Sequence, residues 1–355
     1  MPPLTDTTPL GSTAPGAWEL ASIPGCEVEA IGASREGRAL YGLRAGRGAV
    51  RVSITAGAHA DEPVGPRTAV RLAVALARSE EPWARELAQA CTFRLCPHVN
   101  PDGDAHNAAW QAQRGDARAY LEHVTREAPG DDVEFNYPRS ADDRGTRPEN
   151  LAVADFLRAE GEPYALHASL HSMGVAEGAW FLVCREWADR CRTAGMFERL
   201  ANAAGRSGLG LHDMERHGEK GFHRLAPGFC TTPRSDAMRQ FFLDRDDAQM
   251  AALFRPSSME FIQSLGGDPL CLVSELPHFE LTAAHGDPAP LDARPYGRLR
   301  DRLPEIKAAL AAGNEKPLRD AEREFGLRPV TWETHSDLQL AFLREGLRAV
   351  RGTAA

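Results

Sequence analysis

The chain has 355 residues, of which 43% are hydrophobic and 26% are charged, and its formal net charge at pH 7 is −9. This composition is typical of a globular protein with one large domain or two smaller ones. The acidic balance and the lack of a basic tract argue against a nucleic-acid partner, and no apolar run is long enough for a membrane span. The first residues lack the features of a signal peptide, so we expect a cytoplasmic protein.

Short apolar runs alternate with helical patterns along most of the chain, after a start rich in proline, threonine, serine and glycine. That start, residues 1–16, is interpreted as a flexible arm. Helical patterns are those in which apolar residues recur every three or four positions. Strands are predicted at 40–44, 50–55, 92–97, 166–170, 180–183 and 270–274. Helices are predicted at 65–78, 149–160, 298–312, 317–325 and 338–350.

This alternation predicts an α/β fold, a three-layer sandwich whose central mixed, mainly parallel sheet is flanked by helices. We expect residues 17–295 to form the catalytic domain. Residues 296–355 are expected to be a C-terminal helical extension packed on the same domain. Glycine, proline and charged residues alternate closely in residues 206–261, which we interpret as a lid or substrate-binding insertion.

A pair of metal-binding side chains, His59 and Glu62, follows the predicted strand at 50–55. Zinc accepts both groups, and a catalytic zinc ion commonly has three protein ligands and one open position. His171 is the candidate third ligand, because open α/β sheets place their ligand sites at the carboxyl ends of strands. His167 lies on the same predicted strand, about 13 Å below His171 by strand rise, and is not expected to bind the same ion.

A candidate general base, Glu275, comes directly after the predicted strand at 270–274. A carboxylate there can take a proton from a zinc-bound water and pass it to a leaving amine. The metal itself lowers the pKa of the water and polarises the carbonyl that is attacked. The sequence therefore predicts a hydrolytic site with one zinc ion.

Five short motifs in fixed order resemble those of the M14 family, the carboxypeptidase A-like zinc carboxypeptidases. They lie at residues 59–62, 100–103, 134–139, 170–172 and 274–276. The resemblance implies that His59, Glu62 and His171 bind zinc and that Glu275 is the general acid and base. It also implies a peptide or small amide substrate with a carboxylate, which the family grips at the position of Asn136.

The residues that recognise the substrate depart from the family pattern. The family follows the asparagine at the position of Asn136 directly with an arginine, whereas Tyr137 stands here and Arg139 lies two residues on. We expect Asn136 and Arg139 to orient the substrate carboxylate. Where the family has an oxyanion-stabilising arginine, this chain has Gln111, with Arg114 nearby, and one of these two is expected to stabilise the oxyanion.

The leading hypothesis is a carboxypeptidase-like, zinc-dependent hydrolase of a peptide or amide bond. One alternative is a deacylase of small N-acyl amino acids, similar to aspartoacylase and succinylglutamate desuccinylase, and the missing arginine after Asn136 keeps it open. A second alternative is a non-catalytic binding protein on the same fold. The sequence leaves the oligomeric state open.

Overall fold

The computed structural model describes residue 23 and residues 25–284 and 294–352 of the chain, so the predicted arm at residues 1–16 lies outside the described residues. Its centre is a mixed sheet, which has ten strands within these residues. The strands are β1 (Glu27–Ala33), β2 (Ala39–Gly46), β3 (Val50–Ala56), β4 (Cys91–Cys96), β5 (Leu166–Ala176), β6 (Trp180–Val183), β7 (Arg224–Ala226), β8 (Phe229–Thr231), β9 (Leu270–Leu281) and β10 (Leu327–Pro329). Their order across the sheet is β1-β2-β4-β3-β5-β9-β6-β8-β7, and β10 pairs with β9.

Helices cover both faces of this sheet. They are α1 (Val64–Arg78), α2 (Pro82–Ala90), α3 (Pro101–His106), α4 (Ala108–Gln111), α5 (Ala117–His123), α6 (Pro148–Arg158), α7 (Ala188–Thr193), α8 (Met196–Arg206), α9 (Ser235–Leu243), α10 (Ala248–Leu253), α11 (Ser258–Ser264), α12 (Pro295–Ala311), α13 (Lys316–Phe325) and α14 (Trp332–Gly352). On one face, α1 and α14 pack against the central strands and against each other. On the other face, α6 packs against β1 and β2, and α11 packs against β5.

The central strands explain why both faces must be covered. Strands β4, β3, β5 and β9 run parallel to one another, while β2 and β6 join them in the antiparallel sense. Parallel strands with helices on both sides are buried throughout, which matches their nearly continuous apolar sequences. The structure confirms the predicted three-layer α/β fold with a mixed, mainly parallel sheet at its centre.

The last helix, α14, is part of this core. Phe342 and Leu343 are buried in the same apolar cluster as the central strands. At Gly346 an added Cβ would stand 2.5 Å from a methyl group of Leu272, so a larger residue there would require that leucine side chain to shift. Among the described residues, no helix is long and apolar enough to cross a membrane.

The segment at residues 206–261 adds regular structure to the domain. Its strand β8 lies beside β6 in the sheet, and Phe229 on that strand is buried in the main apolar cluster. Farther on, Phe261 and Ile262 of α11 are buried against the opposite face of the sheet. Much of this segment therefore contributes to the core of the domain.

The predicted ends of two strands are wrong. Strands β5 and β9 do not end at residues 170 and 274 but continue as neighbours to Ala176 and Leu281. His171 and Glu275 consequently lie inside the two strands, where they are register partners. The small residues after His171 suggested a turn. The strand continues because β5 forms backbone hydrogen bonds with β9 along this stretch, and local sequence does not reveal such pairing between distant segments.

Candidate metal centre and active site

Three side chains from two segments of the chain converge at one edge of the sheet. His59 and Glu62 lie between β3 and α1, and His171 lies on β5. Nδ1 of His59 is 2.7 Å from Oε1 of Glu62, and Nδ1 of His171 is 2.8 Å from Oε2. The two Nδ1 atoms are 3.1 Å apart. One ligand atom from each residue thus lies within 4.8 Å of the other two, the only such group among the described residues.

These distances fit a single zinc ion. Ligands that stand about 2.0–2.2 Å from a tetrahedral zinc ion are about 3.3 Å from one another. The donor set of two imidazoles and one carboxylate is also one that zinc uses when a fourth position stays open for water or substrate. The structure therefore brings together the three residues that the sequence predicted as ligands.

The outward-facing nitrogens of both imidazoles meet carboxylates. Nε2 of His59 is 3.4 Å from Oδ2 of Asp132, and Nε2 of His171 is 3.2 Å from Oε2 of Glu134. A carboxylate on the remote nitrogen of a metal-binding histidine orients the ring and increases its basicity. Neither acid was predicted from the sequence. Glu134 opens the matched motif at 134–139 and Asp132 lies two residues before it, which is the signal that could have found them.

The charges of the group depend on one another. Burial and Arg126 disfavour protonation of His59, but Glu62 and Asp132 outweigh them and raise its pKa to about 10. Burial also opposes protonation of His171, yet Glu62 and Glu134 raise its pKa well above the usual value. Burial alone would raise the pKa of Glu62, but the two imidazoles hold it well below the usual value. In the metal-free protein, protons on the two imidazoles therefore compensate the negative charge of the neighbouring carboxylates.

Glu275 lies beside this group. On one side its strand partner is His171, and on the other it is Trp180. Burial, and then the negative charge of Glu62, raise the pKa of Glu275 to about 8. A carboxyl group with a pKa near neutrality can both accept and return a proton under physiological conditions.

An arginine that the sequence analysis did not single out, Arg126, also reaches the group. Its Nη2 is 3.5 Å from Oε1 of Glu62, and its Nη1 is 3.6 Å from Oδ1 of Asp61. Asp61 is buried and in turn meets the hydroxyl of Tyr120 at 3.4 Å. About half of the Arg126 side chain is exposed, so a ligand that binds from solution can reach it. Arg126 lies outside every matched motif, and only the fold brings it to the site.

The residues predicted to contact the substrate, Asn136, Tyr137 and Arg139, make no hydrogen bond with the three residues that can hold zinc. The side-chain oxygen of Asn136 accepts a hydrogen bond from the hydroxyl of Thr146. Tyr137 is buried, and its ring stacks on Phe261 at 5.4 Å. Arg139 is exposed at the surface, and its side chain has no hydrogen bond or ion pair among the described residues. The structure brings none of these three into hydrogen-bonding contact with the described zinc-binding residues.

The two residues predicted to stabilise the oxyanion are likewise used within the fold. The amide of Gln111 donates to Oδ1 of Asp104 at 2.8 Å. The guanidinium of Arg114 stacks on the ring of Trp332, at the start of α14. Both contacts turn these side chains toward neighbouring helices and loops. Arg126 is instead the cation that meets the zinc-binding carboxylate.

His167 lies in the core, as the sequence analysis expected. Its Nδ1 is 2.9 Å from Oγ of Ser53, and its Nε2 is 3.1 Å from Oγ of Ser258. Burial lowers the pKa of His167 to about 4, so its ring is neutral. Because both ring nitrogens of His167 are engaged in hydrogen bonds, neither has a free lone pair for a metal ion.

A family model described as zinc carboxypeptidase, Peptidase_M14, matches residues 21–207, which is more than half of the chain. The chain belongs to the M14 zinc carboxypeptidase family. Members depend on zinc, and the group formed by His59, Glu62 and His171 is where this chain can hold it. No match was found among curated proteins.

Solved structures of metallo-carboxypeptidases share the fold of this M14 protein. The metallo-carboxypeptidase of Burkholderia cenocepacia is 18% identical over 94% of this chain and 66% of its own, with a TM-score of 0.52. A candidate carboxypeptidase A of Shewanella denitrificans is 14% identical over 92% of this chain and 65% of its own, with a TM-score of 0.51. The chain thus spans just under two thirds of the length of these proteins. At such identities the likeness concerns the fold.

We expect zinc to bind more tightly as pH rises, because the ion must displace protons from His59 and His171. Their pKa values are raised, to about 10 for His59, so both rings carry protons at neutral pH in the metal-free protein. Each displaced proton should strengthen binding about tenfold per pH unit below that pKa. Competition titrations with a zinc chelator at several pH values measure this. An affinity that does not change with pH would contradict the charge state described above.

Proposed function

We propose that this M14 protein is a zinc-dependent hydrolase that cleaves a peptide or amide bond. Zinc would be held by His59, Glu62 and His171, and Glu275 would act as the general base. The observation that carries the proposal is the pairing of His171 with Glu275 on adjacent parallel strands, beside Glu62. This pairing sets the acid–base group next to the metal ligands with no flexible segment between them.

The proposed chemistry divides between the metal and the side chains. Bound zinc supplies Lewis acidity, which activates water and polarises the carbonyl. Glu275 accepts a proton from the attacking water and returns it to the leaving amine, a role for which a pKa near neutrality suits it. The half-exposed guanidinium of Arg126 contacts Glu62 and would donate to the negative charge that develops on the attacked carbonyl; a positioned donor of this kind stabilises a transition state.

Arg126 takes the place that the sequence analysis gave to Gln111 or Arg114. Its guanidinium is held by Asp61 and Glu62, while about half of the side chain stays open to solvent. A cation with two acidic neighbours keeps its orientation yet still has donors for a ligand. We therefore propose Arg126 as the main positive charge that a substrate meets in this site.

One structural observation favours the deacylase alternative. Asn136 and Tyr137 are committed to contacts inside the fold, so these two residues do not present a grip for a substrate carboxylate. A small N-acyl amino acid could use Arg126 alone for its carboxylate. The peptide hydrolase remains the proposal, because the family assignment and the fold both point to it.

The Glu275→Gln variant should bind zinc and lose activity by a factor of about 10²–10⁴, because the amide cannot take a proton from water. Zinc content and steady-state rates measure the two properties separately. The matched control is Glu280→Gln, a buried glutamate near the carboxyl end of the same strand, where it pairs with Arg328. Full activity of a zinc-loaded Glu275→Gln protein would contradict the mechanism.

Replacing Arg126 with methionine should lower activity by a factor of about 10²–10³, as expected for a lost transition-state donor. The fall should appear mainly in kcat if Arg126 meets the oxyanion and mainly in KM if it binds a substrate carboxylate. Arg139→Met is the matched control, because Arg139 is exposed and has no side-chain contact within the described structure. If the control loses as much activity as Arg126→Met, then Arg139 moves into the site and the proposal for Arg126 is wrong.

A substrate panel distinguishes the peptide hydrolase from the deacylase of N-acyl amino acids. Peptides with a free C-terminal carboxylate, the same peptides as C-terminal amides, and N-acyl amino acids should be assayed with wild type and Glu275→Gln. We expect turnover of the peptides that depends on Glu275. Turnover restricted to N-acyl amino acids would instead establish the deacylase.

A further inference from the structure

Arg114 is a cation without an acidic partner among the described residues, and the proposed reaction does not use it. Its side chain is partly buried, and its guanidinium lies over the ring of Trp332. The nitrogens of this guanidinium make no hydrogen bond or ion pair within the described part of the chain, and they keep some contact with solvent. A guanidinium has five N–H donors, which one aromatic face cannot satisfy. These donors are therefore open to a ligand from solution.

A second guanidinium lies at the same ring. The Cζ atom of Arg67, an exposed residue of α1, is 4.1 Å from the centroid of the Trp332 ring. Burial, and then the positive charge of Arg67, lower the pKa of Arg114 to about 8, although Glu333 acts in the opposite direction. Like charges this close destabilise each other. An anion bound to both guanidinium groups would compensate this repulsion.

The starts of two helices add positive charge to the same place. Oγ1 of Thr68 in α1 is 2.8 Å from Oγ of Ser336 in α14. Farther along both helices, Nη1 of Arg71 is 2.7 Å from Oδ1 of Asp337. The order of these contacts shows that α1 and α14 run in the same direction and begin side by side. The N-terminus of an α-helix carries partial positive charge, and α1 has no acidic residue in its first turn to compensate it.

We propose that Arg67, Arg114 and Trp332 form a binding site for a small oxyanion, a molecule that carries a phosphate or carboxylate group. The planar fork of a guanidinium matches either group with two parallel hydrogen bonds. The site lies beside the start of α1 and shares no side chain with the group that can hold zinc. The proposal therefore depends neither on the zinc site nor on the reaction.

Inorganic phosphate is the probe for this site, and the indole of Trp332 reports its binding. Titration of the intact protein with phosphate should change the intrinsic tryptophan fluorescence. It should also raise the midpoint of thermal unfolding, because a ligand that binds only the folded state stabilises that state. The fluorescence change should be lost in Trp332→Phe, which assigns it to this ring. If potassium chloride at the same ionic strength reproduces both effects, general screening explains them and the proposal is wrong.

Arg114→Met should weaken phosphate binding at Trp332 about tenfold or more, because it removes hydrogen bonds between charged groups while keeping a long side chain. The matched control is Arg185→Met, which removes the same charge at an exposed arginine whose side chain has no hydrogen bond or ion pair within the described structure. Phosphate bound at a zinc ion would bind both variants equally. A loss in Arg114→Met alone supports the site, whereas an equal Trp332 response in wild type and Arg114→Met, or no response in wild type, overturns it.

A second variant, Arg67→Met, covers the case in which Arg114→Met does not fold. Arg67 is exposed, so its replacement does not disturb the core, and phosphate binding should again fall about tenfold. Unchanged phosphate binding by Arg67→Met would contradict the proposal. Malonate, titrated in the same way, distinguishes the two kinds of oxyanion: tighter binding of phosphate indicates a phosphate-bearing ligand, and tighter binding of malonate indicates a carboxylate.

Discussion

The pairing of β5 with β9 is the constraint on which the rest of the site depends. The two parallel strands stay in register from Leu166 and Leu270 onward, and this register sets His171 against Glu275. A shift of one residue would turn one of these side chains to the opposite face of the sheet. Helices α14 and α11 cover the two faces, so a shift of register would also expose apolar side chains or bury polar ones. The proposed metal ligand and the proposed acid–base group thus both lie on the central sheet.

Negative charge is concentrated at this edge of the sheet. Glu62, Asp132 and Glu134 all lie in contact with the two imidazoles, and Glu275 is close enough for its pKa to respond to Glu62. Burial of several carboxylates is unfavourable unless positive charge compensates them. Protons on the imidazoles provide that charge in the metal-free state, and a divalent cation can replace them. The same electrostatics therefore explain both the affinity expected for zinc and the raised pKa of Glu275.

Residues 132–137 contact the imidazoles of the metal group and pack in the core of the domain. Asp132 and Glu134 support the imidazoles, and Tyr137 packs on α11. The cation that contacts Glu62 is Arg126, which lies outside the matched motifs and is the proposed positive charge for a substrate. The group that can hold zinc is thus present in this chain, whereas Asn136 and Tyr137, which were predicted to contact the substrate, make other contacts within the fold. Because Asn136 and Tyr137 are engaged within the fold, the deacylase alternative stays open beside the peptide hydrolase.

The sequence by itself determined the fold class, the family and the residues that converge as a metal group, because alternating apolar patterns and spaced ligand motifs are local features. It also indicated that His167 is a core residue. Tertiary structure decided that His171 and Glu275 lie within strands, that Asp132 and Glu134 face the imidazoles, and that Arg126 reaches Glu62. It also decided that Gln111, Arg114, Asn136 and Tyr137 are engaged elsewhere. These outcomes depend on strand register and on contacts between distant segments, which no local pattern encodes.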